Sequence, residues 1–285
     1  MKKQYMHLVE PATNSEEAIT RLKEIIAILR VECPWDKKQT HETLRSCMIE
    51  EAYEVVEAIN INNDENLEEE LGDVILQVVF HSNLAEESGK FNLTDVINKE
   101  CEKMIRRHPH VFLDKNSNNG TNSIDKILEK WENIKAAEKK EHSPTSRMES
   151  VPKALPALTR ATKIQKRAAE VGFDWNDISG ALTKIKEETD EVIEASKENN
   201  AADHVAEELG DLLFSVVNAA RFLKVDPEEA LNSATRKFMR RFAYVEQQSL
   251  ACGKQLEDMS LEEMDALWEQ AKRKSENAPE AGEII

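Results

Sequence analysis

Apolar residues recur every three or four positions along almost the whole chain, which is the spacing of amphipathic helices. Ser15 can cap the first of these segments and Pro34 ends it. In the first half, helices are predicted over residues 15–33, 41–61, 67–87, 94–107 and 123–140, with a polar loop over 116–122. In the second half they are predicted over residues 156–170, 179–198, 203–223, 227–250 and 260–275. No alternating run of useful length occurs, so the pattern predicts an all-α protein.

The two halves of the chain repeat each other. The stretch EEAYEVVEA at 50–58 returns as EETDEVIEA at 187–195, and EELGD at 69–73 returns at 207–211. The offset between the copies is 137 to 138 residues through these blocks. Such self-similarity indicates homologous modules joined in tandem. We expect a first helical module over 1–142, a linker over 143–152 and a second module over 153–285.

Each half carries an acidic pattern, Glu-Glu-x-x-Glu on one predicted helix and Glu-x-x-Asp on the next. Residues three or four apart share a helix face, so two antiparallel helices could bring these carboxylates together. Such a cluster is costly to bury without a counter-charge, which a divalent cation supplies. Ligands that are all oxygen favour Mg²⁺, with Mn²⁺ as a substitute, over Zn²⁺. The acids are Glu50, Glu51, Glu54, Glu70 and Asp73, and Glu187, Glu188, Glu191, Glu208 and Asp211.

The acidic pattern has two alternative interpretations. A solvated helix face is the simplest alternative, but the acids stand beside apolar residues and the pattern occurs twice. Gly72 and Gly210 lie inside predicted helices, where glycine is unfavourable, and this suggests a close backbone approach at a site. A di-iron bundle is disfavoured because its Glu-x-x-His pairs are missing.

Basic and aromatic residues also recur at matching points. A basic cluster in the first half has a counterpart in the second half: Lys103, Arg106 and Arg107 correspond to Lys237, Arg240 and Arg241. These side chains could contact phosphates or form a solvated helix face. Trp268 and Lys272 are one helical turn apart, and the Trp268 ring could stack on a base or fill the core. His108-Pro109-His110 is more typical of a helix cap or turn than of a metal site.

Charge and composition narrow the class of protein. The chain has 285 residues, 38 Lys and Arg against 55 Asp and Glu, and a formal net charge of -17. This balance argues against a nucleic acid polymer or an anionic membrane as partner. No apolar run reaches the roughly 18 residues of a membrane span, and the first residues lack a secretion signal. With four scattered cysteines, the expected location is the cytoplasm.

These motifs together resemble the MazG family of nucleoside triphosphate pyrophosphohydrolases, which belong to the all-α NTP pyrophosphatases. The marks are Cys33-Pro34-Trp35-Asp36, the two acidic blocks, Arg106-Arg107-His108-Pro109-His110-Val111-Phe112, Lys237-Phe238-Met239-Arg240-Arg241-Phe242 and Trp268. The resemblance covers nearly the whole chain. It implies tandem helical bundles that dimerise, and Mg²⁺-dependent hydrolysis of a nucleoside triphosphate to the monophosphate and pyrophosphate.

The resemblance also implies roles for individual residues. Metal ligands would be Glu188, Glu191, Glu208 and Asp211 in the second module, and Glu51, Glu54, Glu70 and Asp73 in the first. Catalytic roles would fall to Glu187 and Glu188, and to Glu50 and Glu51. Nucleotide or phosphate contacts would be Lys237, Arg240, Arg241, Trp268 and Lys272, with Lys103 and Arg107 in the first module. His108-Pro109 departs from the second module and could end the first module's helix early.

Three questions stay open from the sequence. The enzyme could act on nucleoside triphosphates in general or on one nucleotide, such as dUTP or a phosphoribosyl nucleotide. A helical protein that only binds a metal or a partner is a further alternative. The sequence also leaves open whether one or both modules turn over nucleotide.

Overall fold

The computed structural model describes residues 2–112, 123–124, 127, 130–131, 134, 138, 143–198 and 202–277. Within these residues there is no strand, which confirms the all-α prediction. The chain divides into two compact units, residues 1–135 and 136–285. The loop predicted at 116–122 and the pair Asn199-Asn200 lie outside the described residues.

The first unit is built from long helices capped by asparagine. Asn14, Asn63 and Asn92 each accept a hydrogen bond from a backbone N–H of the first turn, which satisfies a donor that the helix leaves unpaired. Ile124, Ile127, Lys130, Trp131, Ile134 and Glu138 are helical within the segment predicted at 123–140. The helices are α1 (Ser15–Glu32), α2 (Arg45–Asn60), α3 (Asp64–Glu87), α4 (Leu93–Arg107) and α5 (Pro109–Phe112).

The second unit repeats this design. Asp177 and Asp226 cap two of its long helices in the same way, and Pro227 occupies the first helical position, where its missing N–H costs nothing. The helices are α6 (Pro144–Glu149), α7 (Ala157–Ala169), α8 (Ile178–Ala195), α9 (Ala202–Phe222), α10 (Pro227–Ala251) and α11 (Leu261–Asn277).

In each unit one pair of helices forms the centre. Helices α2 and α3 pack along their length in the first unit, and α8 and α9 do so in the second. Because the members of each pair are consecutive, they run antiparallel. The first unit buries a cluster of large side chains, Ile26, Leu44, Val79, Phe80, Leu84 and Leu93. The second unit buries smaller ones at matching positions, such as Ala181 where the first has Leu44.

Two local predictions differ from the structure. Helix α3 begins at Asp64 rather than near residue 67, because Asn63, expected within a polar break, caps it. The predicted linker contains helix α6, whose capping box joins Ser143 and Ser146. The bounds of the two modules and of the linker stay a prediction. Among the described residues, no helix is long and apolar enough to cross a membrane.

Candidate functional site

The antiparallel helices of the first unit bring four acidic side chains together. Carboxylate oxygens of Glu51, Glu70 and Asp73 all lie within 4.8 Å of one another. Burial, and then the neighbouring charges of Asp73 and Glu54, raise the pKa of the Glu51 carboxyl. Burial, and then the charge and hydrogen bond of Glu54, raise the pKa of Glu70. Glu54 therefore contacts the same group, while Glu50 lies exposed outside it.

The second unit forms the corresponding cluster on α8 and α9. Carboxylate oxygens of Glu188, Glu191 and Glu208 lie within 4.8 Å of one another, and Asp211 is not among them. Glu188 is only 3% exposed, which is unusual for an acid. Burial, and then the hydrogen bond to Glu188, raise the pKa of Glu191. The cluster is thus crowded with negative charge in a partly desolvated place.

Lys184 supplies a counter-charge that the sequence reasoning missed. Its Nζ lies 2.5 Å from Glu188 Oε1 and 2.9 Å from Glu187 Oε1. The hydrogen bond to Glu188 is the main cause that raises the pKa of the Lys184 ammonium group. The sequence does place Lys184 one helical turn before Glu188, where the two side chains can pair. The first module has Cys47 at the matching position.

His204 is a second residue that the sequence reasoning did not single out. Its Nε2 lies 3.1 Å from Glu208 Oε1, and its Nδ1 lies 3.2 Å from Glu198 Oε2. These carboxylates raise the pKa of His204, with the hydrogen bond to Glu198 as the largest cause. The imidazole therefore helps to orient Glu208, whereas the first module has Asn66 at the matching position.

The donor set of the second cluster fits a hard divalent cation. Its ligands are carboxylate oxygens from two facing helices, which is the chemistry that Mg²⁺ and Mn²⁺ prefer. Glu188 Oε2 is buried and has no hydrogen-bond partner in the described part of the chain. A buried, unpaired carboxylate oxygen is strongly unfavourable, and a cation would relieve that cost.

The two interior glycines do not mark a close approach within the chain. A Cβ atom added at Gly72 or at Gly210 would meet nothing within 4 Å. The expectation of a crowded backbone at these points is wrong for the described residues. Gly180 behaves differently, because a Cβ there would lie 2.6 Å from the Trp175 ring atom Cδ2.

The basic and aromatic residues gather on the last two helices of the second unit. The Arg241 guanidinium carbon lies 5.9 Å from the centre of the Trp268 ring, and the Phe238 ring lies 5.1 Å from it. Arg241 Nε is buried without a hydrogen-bond partner in the described residues. Lys237 and Arg240 are exposed, and Lys272 pairs with Glu269. Among the lysines and arginines described in the second unit, Lys184 is thus the one that contacts the carboxylate cluster.

The first unit has a reduced version of this arrangement. The Arg107 guanidinium carbon lies 5.5 Å from the centre of the Trp131 ring, which matches the Arg241 and Trp268 pair. Lys103 pairs with Glu100 on its own helix. Helix α4 ends at Arg107, and His108 Nδ1 lies 2.7 Å from the Met104 carbonyl oxygen. The His108-Pro109 segment therefore ends this helix early, as its sequence indicated.

Comparison with known proteins gives concordant results. A family model for the MazG nucleotide pyrophosphohydrolase domain matches residues 39–112 and again 178–245. The nucleoside triphosphate pyrophosphohydrolase/pyrophosphatase MazG of Thermotoga maritima is 48% identical over 84% of this chain and 89% of its own length. The nucleoside triphosphate pyrophosphohydrolase of Escherichia coli is 43% identical over 85% of this chain and 90% of its own. The uncharacterised protein YabN of Bacillus subtilis is 50% identical over 84% of this chain and 48% of its length.

Proposed function

The chain belongs to the MazG family and is a nucleoside triphosphate pyrophosphohydrolase, and we propose that its second module performs the reaction with Mg²⁺. The observation that carries the assignment to this module is the buried carboxylate of Glu188 between Lys184 and two further acids. The first module lacks this lysine and leaves its cluster without an adjacent cation among the described residues.

In this proposal Glu188, Glu191 and Glu208 would hold the cation, and Asp211, one turn along α9, would complete the ligand set. Bound there, Mg²⁺ would neutralise the triphosphate and make its α-phosphorus more electrophilic. The contact between His204 Nε2 and Glu208 Oε1 would help to hold this carboxylate in position for the cation. This ligand set is supported by the two-helix geometry and by the buried, unpaired oxygen of Glu188.

The side chains around the cation would bind the phosphate oxygens and accept the proton of the attacking water. Lys184 exchanges its carboxylate partners for phosphate oxygens when substrate binds. Lys237, Arg240, Arg241 and Lys272 are the further candidates for phosphate contacts. A water oxygen attacks the α-phosphorus, the bond to the bridging oxygen of the β-phosphate breaks, and pyrophosphate leaves. Glu187, exposed beside the cluster, accepts the proton that the water loses.

A direct test is to follow the products. The full chain should release pyrophosphate, and no orthophosphate, from nucleoside triphosphates when Mg²⁺ or Mn²⁺ is present, and a chelator should stop the reaction. A panel of ribo- and deoxynucleotides separates a broad enzyme from one restricted to dUTP or a phosphoribosyl nucleotide. Metal binding with no pyrophosphate release from any nucleotide would contradict the proposal.

We also propose that the protein is a homodimer. Helix α9 exposes Leu209, Leu213 and Val216 on its surface, and α3 exposes the matching Leu71 and Ile75. An apolar helix face that recurs in both modules is unfavourable in water and is suited to pack against a second copy. Sedimentation should show a dimer that Leu213→Glu converts to monomer. The same change at exposed Leu261 is the control, and an unaltered dimer in Leu213→Glu would count against this face.

A further inference from the structure

A pair of histidines in the first unit joins two segments that are distant in the chain. His41 lies in the turn that precedes α2, and His81 lies on α3. Their Nδ1 atoms are 2.8 Å apart, and the two ring planes are parallel within 3°. Both residues are half-buried, and neither takes part in the proposed reaction.

A hydrogen bond between two Nδ1 atoms limits the number of protons that the pair can hold. One ring donates its Nδ1–H, and the other accepts through the lone pair of its Nδ1. A first added proton can bind an Nε2 atom and leave this bond in place. A second added proton gives both rings an Nδ1–H and a positive charge, so two donors face each other at the contact. The contact between His41 and His81 is therefore compatible with one added proton and incompatible with two.

The contact holds a folded segment, residues 34–43, against α3. Within this turn segment, Gln39 Nε2 donates to the Trp35 carbonyl oxygen at 3.1 Å, and Thr43 Oγ1 donates to Gln39 Oε1 at 2.8 Å. Arg30 provides another connection to α3, because it donates to the Gln39 carbonyl oxygen at 3.1 Å and to Glu87 at 2.7 and 2.9 Å. The turn segment would thus stay attached through Arg30 if the histidine contact opened.

The charges around the pair leave its protonation to the two histidines. Charged and titratable groups on the surrounding elements are Lys23 and Arg30 on α1, Asp36 and Glu42 in the turn segment, Arg45 and Cys47 on α2, Asp95 on α4, and Glu86 and Glu87 on α3. Arg30 and Lys23 form ion pairs with the last two of these. Glu42 is exposed, and its carboxylate interacts with His41. Burial, and then the charge of His41, lower the pKa of His81.

We propose that the His41–His81 pair is a pH-sensitive contact that holds the turn segment against α3 and opens when both rings are protonated. Near neutral pH the shared hydrogen bond keeps the contact closed. In mild acid the two imidazolium rings repel each other, and the segment that carries the exposed Trp35 loosens at this point. The second module has Ala219 at the position of His81, so this device belongs to the first module.

Hydrogen exchange of the full chain, followed by mass spectrometry, tests this directly. The measured quantity is the protection of backbone amides in the turn segment at about pH 7.5 and about pH 5, corrected for intrinsic exchange. Protection should fall about tenfold at the lower pH, the effect of one lost hydrogen bond. Helix α10, which contains no histidine, is the internal control and should keep its protection. Equal protection of the turn segment at the two pH values would overturn the proposal.

Two variants separate this contact from a general effect of acid. His41→Asn places an amide where the ring stood, and an amide can donate to neutral His81 or accept from its protonated form. This variant should therefore keep its protection at about pH 5. His81→Ala removes the contact, so protection should be low at both pH values.

The proposal is contradicted if His41→Asn loses as much protection in acid as the unmodified chain. It is equally contradicted if His81→Ala keeps the pH-dependent change. Should His81→Ala fail to fold, the comparison of His41→Asn with the unmodified chain still decides.

Discussion

The two modules share one helical plan and differ at a few positions inside it. Both centre on an antiparallel helix pair that gathers carboxylates within 4.8 Å. The second module has Lys184 where the first has Cys47, and Asn218 where the first has Phe80. In the first module these positions pack in the core. In the second module they hold the ammonium group of Lys184 and the amide of Asn218, which lines a cavity. The first module is thus the more closely packed copy at these positions, and the second is the copy with a charged and polar site.

The largest expected contrast is in activity. Glu188→Gln should lower the rate of pyrophosphate release at least about 1000-fold, because it removes a charged ligand from the metal cluster. Glu51→Gln makes the same change in the first module and should retain most of the activity. Steady-state rates at saturating Mg²⁺ measure both. Equal losses of activity in the two variants would show that both modules contribute to the reaction and would contradict the proposed difference between them.

The next contrast is in stability. Phe80→Ala should lower the free energy of unfolding by about 3 kcal/mol, because the ring is buried in the first module's core. Phe214→Ala should cost much less, since that side chain is 45% exposed at the cavity. Denaturant unfolding of the two variants gives both values. A similar loss for Phe214→Ala would mean that the cavity wall is part of a packed core.

Lys184→Ala should change how stability depends on metal. Without Lys184 the buried Glu188 carboxylate loses its counter-charge, so the midpoint of thermal unfolding should fall in the presence of a chelator. Saturating Mg²⁺ should restore much of the loss, because the cation takes over that charge. Cys47→Ala in the first module should show no such metal-dependent effect. A loss of equal size with and without Mg²⁺ would contradict this role.

The smallest contrast concerns pH and the stacked histidines of the first module. His41 and His81 stack with ring centres 5.1 Å apart and Nδ1 atoms 2.8 Å apart. Burial, and then the neighbouring His41, lower the pKa of His81. The unfolded chain therefore binds this proton more readily, so stability should fall as the pH drops through about 6.5 and level off below the folded pKa.

His81→Leu should reduce the fall in the unfolding midpoint between about pH 7.5 and about pH 5.5. An undiminished fall in His81→Leu would assign the pH dependence to other groups.

The sequence predicted the architecture well because its signals are local. Apolar spacing located the long helices of both units, and α1 begins at Ser15 as predicted, although Asn14 rather than Ser15 caps it. The repeat predicted that both modules would build the same acidic helix pair. The helix boundary that differs depends on turn chemistry, since Asn63 is typical of a polar break in the sequence and caps α3 in the structure.

The site was only partly predictable, because its remaining features depend on packing between distant segments. Gln165 and Asn218 are 53 residues apart and look ordinary in the sequence, yet both line one cavity. Lys184 was visible one turn before Glu188 but could equally have been a solvated lysine. Gly210 was expected to mark a close backbone approach and meets open space, whereas Gly180, which the sequence did not single out, lies against the Trp175 ring.

We infer that the second module alone binds and turns over nucleotide. A nucleoside triphosphate analogue with a methylene group in place of the α,β-bridging oxygen occupies the site without being hydrolysed. Calorimetric titration of the full chain with this analogue and Mg²⁺ counts the sites directly. One nucleotide per chain, lost in Glu188→Gln and kept in Glu51→Gln, is the predicted result. Two equivalent sites per chain would contradict the account.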